Sequence, residues 1–435
     1  MNLETLKYII TNHRERFLSG MDLIPRELLV QAGKFMKSRE IIFITGIRRS
    51  GKSSLMRLIC KQLIDEQSVS RENILFINFE DERFIGFTVS EFDLLFKTYK
   101  ELEDPKGKVY LFFDEIQQIE GWERWINRLY EFEDVKITIT GSNASLLGSE
   151  ISTVLTGRNR QLYNYPFSFK EFLWQQGLIN LETKYLYQEK IQIELKRKYL
   201  IYIENGGFPE VIKNNDITLL DQYFKDIIYR DIIARHSIRN IIEMKELALY
   251  LISNIGTLTS YDGLKKVISA TNTTTIKNFL HILEDTYLIV KLSLFDFSIK
   301  KQIYNPNKYY TSDIGFYSAL GFRFSENKGH KMENLVCIEL LRRNKEIFYW
   351  KSSKGFEVDF IIKQGNKPYM AIQVCAELTK MNEEREIRSL LSAANELQIS
   401  ELIILNEDTD TVITIDCITI KVIPLWKWLL VEETM

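Results

Sequence analysis

Eight residues near the start of the chain, Gly46, Ile47, Arg48, Arg49, Ser50, Gly51, Lys52 and Ser53, have the types and spacing to hold a phosphate chain. In the pattern GxxxxGK[ST], glycines let backbone N–H groups converge on phosphate oxygens, the lysine reaches the β- and γ-phosphates, and the hydroxyl holds Mg²⁺. Lys52 and Ser53 take those roles, with the backbone from Gly46 to Ser54 lining the anion and the positive end of the following helix aimed at it. A second constellation, VYLFFDE, ends an apolar run in Asp114 and Glu115. A buried parallel strand of that kind delivers Asp114 to the Mg²⁺ shell and places Glu115 to orient or deprotonate an attacking water. The ligand set this describes is Mg²⁺-ATP, with Ser53 and Asp114 on the metal.

Further candidates follow. The strand Val135 to Thr140 ends in Gly141, Ser142 and Asn143. Ser142 or Asn143 is placed to sense the γ-phosphate or hold the water opposite Glu115; the plainer role is to cap a helix beginning at Ala144. Arg158, directly after Gly157, is the first candidate to neutralise charge on a transferring phosphoryl group, in cis or from a neighbouring subunit, and Arg160 is the second. Arg48 and Arg49 have no assigned partner at this stage: phosphate, a partner subunit and water all suit them.

The elements that must position these residues read as an α/β domain. Ile41 to Ile44 is a short apolar strand before the loop, and Leu55, Leu58 and Ile59 give the helix after it an apolar face. Ile74 to Phe79 is a second strand, lying in sequence between the loop strand and the acidic one, as in the ATPase branch with an inserted strand and an added glutamate. The first twenty residues form an amphipathic helix that either covers the nucleotide base or packs on the core.

Composition sets limits. Hydrophobic content of 45% and charged content of 27% describe a globular protein, and 435 residues suggest about three domains. A net charge of −2 excludes a polycation that coats nucleic acid indiscriminately. Four scattered cysteines, with no CxxC, argue against zinc and a disulfide framework. The N-terminal segment is interrupted by charges, and no run of about 18 apolar residues occurs, so a cytoplasmic protein without membrane contact is expected.

GIRRSGKS, LFFDEIQ, TGSNASLL, LTGR and PFSFKEF, in this order, resemble the AAA-type ATPases often labelled "ATP-binding protein" that carry a C-terminal domain of unknown function. The resemblance spans nearly the whole chain. It implies an AAA+-like core related to STAND-type ATPases, with Mg²⁺-ATP as ligand.

Downstream, the stretch Asp216 to His236 carries a helical apolar stripe suited to a lid. Leu247 to Val290 reads as helix, turn, helix, strand, resembling a winged helix whose second helix exposes Thr273, Thr275, Lys277, Asn278 and His281. Seven lysines against four acids between Tyr261 and Tyr310 add weak support for contact with a DNA backbone. The C-terminal stretch has the layout of a restriction-endonuclease-like fold, but Gln373, Val374 and Cys375 stand where related chains read ExK. A neutral amide and a thiol replace a metal-binding carboxylate and a lysine, so Glu333, Glu357 and Asp359 are assigned to the fold and nuclease action is withdrawn.

The expected organisation is an N-terminal helix (1–24), a P-loop ATPase domain with a parallel sheet and inserted strand (25–175), a helical lid (176–245), a winged helix (246–325) and a degenerate nuclease-like α/β domain (326–435). The expected activity is Mg²⁺-dependent ATP hydrolysis that drives a switch or motor. Its partner is DNA through the winged helix, or proteins bound by the C-terminal domains of a STAND-type switch; an ATP-dependent homo-oligomer suits an arginine acting in trans.

Overall fold

The computed structural model describes the chain apart from residues 21–22, 143–154, 156, 179–182, 237, 239, 323–326, 380–381 and 432–435. Two compact units result, Met1–Tyr165 and Pro166–Met435.

The first unit is built on a five-stranded sheet of β1 (Ile41–Thr45), β2 (Ile74–Asn78), β3 (Val109–Asp114), β4 (Val135–Gly141) and β5 (Asn159–Tyr163). Its order is β2-β3-β4-β1-β5, and every neighbouring pair is parallel. Parallel strands need crossovers, and helices then cover both faces, which is why β1 and β4 are buried along their whole length. Alternate residues serve the two faces. Ile41, Phe43, Phe113 and Ile139 pack with Phe92, Trp122 and Trp125, whereas Ile42, Ile44 and Phe112 pack with Leu55, Met56 and Ile59. The inserted strand is β4, which separates β1 from β3; the Ile74 segment lies at the outer edge instead.

Helix α1 (Leu3–Leu18) covers that outer edge. Arg14 Nε donates to the Ile74 carbonyl at 2.8 Å, and the Asn78 amide donates to His13 Nδ1 at 3.3 Å. Edge groups that would otherwise invite pairing with another strand are thereby occupied. Of the two roles open to this helix, the packing one matches its place beside β2. Helix α2 (Leu28–Met36) leads into β1, and α3 (Lys52–Gln67) follows the loop.

The second unit begins with helices. Glu189–Asn205 ends at Gly206, whose φ of 73° is left-handed. The predicted stripe from Asp216 to His236 is not one regular helix: Leu219–Asp226 passes into a π-helical turn, Ile227–Ile233, before Ala234–His236. Three helices, Ile241–Ser253, Tyr261–Val267 and Thr273–Asp285, precede the antiparallel pair β6 (Ile289–Leu292) and β7 (Lys308–Thr311). A six-stranded mixed sheet closes the unit, with β8 (Glu346–Lys351), β9 (Glu357–Gln364), β10 (Lys367–Val374), β11 (Glu401–Asn406), β12 (Thr411–Ile415) and β13 (Ile418–Pro424) in the order β12-β13-β11-β10-β9-β8. Helix Glu383–Leu397 buries Leu390, Ala393 and Leu397 in the same core as Val358, Ile361, Leu402 and Ile404 of that sheet.

Candidate active site at the sheet edge

All five strands of the first unit run the same way, so the segments leaving β1, β3 and β4 meet at one edge. The loop after β1 turns at once. Gly46 has φ 144°, and a Cβ there would stand 2.3 Å from the Asn164 carbonyl oxygen, a distance no side chain tolerates. Arg49 and Gly51 are left-handed, with φ of 69° and 92°, before α3 begins at Lys52. The buried Lys52 ammonium curls across the loop, donating to the carbonyls of Gly46 at 3.1 Å and Ile47 at 3.3 Å. It also stands 3.9 Å from Glu115 Oε1.

The loop is braced from outside. Asn164 Nδ2 donates to the Ser50 carbonyl at 2.9 Å and the Ser50 hydroxyl at 3.1 Å. Arg26 donates to the same carbonyl at 3.1 Å and to the Tyr165 carbonyl at 2.6 Å. Ile47 and Ser50 are buried, while Arg49, Ser53 and Ser54 lie on the exposed side.

Two carboxylates face the loop. Ser53 Oγ donates to Asp114 Oδ2 at 2.7 Å, and Thr140 Oγ1 donates to Asp114 Oδ1. Glu115 sits in a left-handed conformation, φ 52°, at a cost of about 1–2 kcal/mol that packing must offset. Its amide donates to Thr140 Oγ1 at 3.2 Å, and its Oε2 accepts from Ser142 Oγ at 3.4 Å and from Gln117 Nε2. Burial pushes both carboxyls above their ordinary range. Hydrogen bonds from Thr140 and Ser53 oppose the rise at Asp114, and the Lys52 charge opposes it at Glu115.

The predicted residues divide. Lys52, Ser53, Asp114, Glu115 and Ser142 come together; Asn143 and the helix expected at Ala144 lie outside the described residues. For Arg158 the reading in cis is corrected, and the reading from a neighbouring subunit is untouched. The Arg158 carbonyl accepts from the Ile41 amide at 2.8 Å, at the start of β1, so it occupies the opposite edge of the sheet, about 16 Å of strand away from the loop. Its guanidinium pairs with Glu131 at 2.6 Å, bonds to Asn127 and lies over the Tyr130 ring. Arg160 lies at the same far end, 3.2 Å from Glu40. Neither reaches the loop of its own chain. Thr140, Arg26, Asn164 and Gln117 were missed. Thr140 had one signal, its place two residues before Ser142 at the end of β4; the other three had none at motif level.

In the second unit, helix Thr273–Asp285 exposes Thr274, Lys277, Asn278 and His281, with Thr273 and Thr275 half-buried. Lys277 lies over the Tyr261 ring and His281 near Asp285. The basic count of this region overstates its reach. Lys308 is buried, with its ammonium 2.9 Å from Glu333, 3.0 Å from Glu357 and 3.0 Å from Asp359. Tyr310 OH donates to Glu333 at 2.6 Å, and the Val374 amide donates to Asp359 at 3.0 Å. Burial alone would lower the Lys308 pKa, but the three carboxylates outweigh it and hold the ammonium well above the ordinary lysine value. These acids surround a protein cation, which does not fit a divalent-metal site. Gln373 is tied to Glu386 at 2.7 Å, and burial pushes the Cys375 thiol up to about 12.

A parallel sheet in the order β2-β3-β4-β1-β5, with a glycine-turned loop after β1 and a buried acidic pair ending β3, defines a P-loop NTPase domain. The AAA domain family matches residues 38–173, and two domains of unknown function, DUF8612 and DUF4143, match residues 196–328 and 328–428. An uncharacterized protein of Methanocaldococcus jannaschii is 37% identical over 409 residues, covering 89% of this chain and 88% of its own. One from Haemophilus influenzae is 31% identical, covering 84% of this chain and 90% of its own. Among solved structures, the Walker-type ATPase PABY2304 of Pyrococcus abyssi aligns at 15% identity with a TM-score of 0.41, over 69% of this chain and 96% of its own. The chain belongs to the family of AAA-type P-loop ATPases. Among the described residues no helix is long and apolar enough to cross a membrane.

Proposed function

We propose that the first unit binds Mg²⁺-ATP in the loop Gly46–Ser53 and hydrolyses it with Glu115 as the general base. The observation that carries this reading is the 2.7 Å bond from Ser53 Oγ to Asp114 Oδ2, with Lys52 and Glu115 beside it. A hydroxyl and a carboxylate oxygen side by side are hard donors of the kind Mg²⁺ prefers, so the residues present fit the ion. Bound there, Mg²⁺ neutralises charge on the phosphates.

The protein's own part is positioning. The Lys52 ammonium now rests on two carbonyls of the loop and exchanges them for phosphate oxygens, for which its charge suits it better. Glu115 takes the proton of the attacking water, and Ser142 fixes the carboxylate's orientation. Its raised pKa makes it a stronger base once ionised, and Lys52 keeps the ionised form accessible. Equilibrium titration with ATP tests the binding half. Lys52→Ala is expected to abolish binding, and a dissociation constant equal to that of the parent would overturn the assignment.

A further inference from the structure

Arg48 is the third residue of the phosphate loop, and its side chain takes no part in the proposed mechanism. Its guanidinium lies 3.1 Å from Glu80 Oε1, with the two side chains 12% and 38% exposed. The partner's location gives the pair its meaning. Glu80 stands just beyond β2, and its amide donates to Asn78 Oδ1 at 2.9 Å; Asn78 is in register with Asp114, whose carbonyl accepts from the Phe79 amide at 3.0 Å. Glu80 is therefore fixed at the same edge as the acidic pair.

Strands β1 and β2 are not neighbours. With β4 and β3 between them and about 4.8 Å per strand, they are about 14 Å apart. An ion pair joining the segment after β1 to the segment after β2 has to pass over the ends of β4 and β3. Those ends carry Ser142, Asp114 and Glu115. Three other arginines are differently disposed: Arg158 and Arg160 are at the far edge, and Arg26 braces the loop through backbone carbonyls.

We propose that Arg48 is the arginine that neutralises the transferring phosphoryl group within its own chain, and that Glu80 holds it across the mouth of the site until nucleotide arrives. The inference rests on the ATP-hydrolysis reading. In the step, the water oxygen bonds to the γ-phosphorus as the bond from that phosphorus to the β,γ-bridging oxygen breaks. The electron pair leaves with ADP, and the water proton goes to Glu115. Arg48 transfers no proton; it donates N–H bonds to oxygens on which charge accumulates, the task a planar guanidinium performs better than an ammonium.

The full-length chain is tested as Arg48→Gln, Arg48→Lys and Glu80→Gln, with thermal unfolding confirming that each variant folds. Arg48→Gln is expected to bind ATP within about threefold of the parent and to lose about 10³-fold in single-turnover hydrolysis, with Arg48→Lys recovering only a small part. Glu80→Gln is expected to tighten ATP binding because a competitor for the guanidinium is gone, and the effect should vanish in the Arg48→Gln background. A Glu80 that only supported the fold would give no such coupling. Mixing Arg48→Gln with Glu115→Gln separates cis from trans: no activity returns if both groups serve one chain, and restored activity overturns the assignment in cis. A parent that hydrolyses ATP alongside an Arg48→Gln variant of equal rate overturns the arginine alone. A parent that does not hydrolyse ATP overturns the underlying reading with it.

Discussion

Thr140 is the residue on which the two candidate catalytic carboxylates depend together. Its hydroxyl donates to Asp114 and accepts from the Glu115 amide, and it is fully buried. Thr140→Val keeps the shape and removes both interactions. The change is expected to cost about 1–3 kcal/mol in denaturant unfolding, because the Glu115 amide is left without a partner. It should also raise the Mg²⁺ concentration needed for half-maximal ATPase activity, because Asp114 loses the bond that sets its orientation. An unchanged Mg²⁺ dependence would show that Thr140 serves the fold alone. Lys52, Ser53, Asp114 and Glu115 were legible in the sequence because their chemistry demands fixed types at fixed spacing. Thr140 and Asn164 were not, since a hydroxyl or amide that holds another residue obeys no spacing rule.

Elements were read more reliably than their placement. Parallel strands buried on both faces must be apolar throughout, and that made Ile41–Ile44 and the VYLFFD run visible. Which end of a strand a residue occupies is a tertiary fact. Arg158 follows a glycine and precedes a strand, a sequence position open to an arginine finger, yet β5 starts where β1 starts and so puts it at the edge away from the loop of its own chain. Lys308 shows the same gap between pattern and placement. By sequence it belongs to a basic stretch, but β7 carries it into a cage of Glu333, Glu357 and Asp359 contributed by a helix and β9. Lys308→Met leaves the buried Glu333 and Asp359, and the half-buried Glu357 beside them, without their cation and is expected to destabilise the second unit by about 3–5 kcal/mol at neutral pH. The deficit should shrink as pH falls toward 5. Without the ammonium that opposes it, burial and the Asp359 charge raise the folded-state Glu333 pKa further, so the folded variant binds more protons than its unfolded chain and gains stability on acidification. Denaturant midpoints of parent and variant across that range measure this; a deficit independent of pH would mean the cage is not ionised as described.

At the scale of the molecule, the two units divide the problem. The first has the fold of a P-loop NTPase, and its candidate site is built from its motifs. The second matches domains without an assigned role, and its acidic residues close on an internal lysine. The relatives in an archaeon and a bacterium match most of their own length, so both units have counterparts in these two proteins. The proposed reaction rests on the arrangement of Lys52, Ser53, Asp114 and Glu115, and in that proposal Glu115 separates binding from turnover. The decisive measurement is single-turnover hydrolysis of Mg²⁺-ATP by Glu115→Gln beside an equilibrium titration of the same protein. ATP affinity is expected to match that of the parent while the hydrolysis rate falls by about 10²–10⁴-fold. A variant that hydrolyses ATP at the parent rate would contradict the assignment of the base and, with it, the mechanism built on this sheet edge.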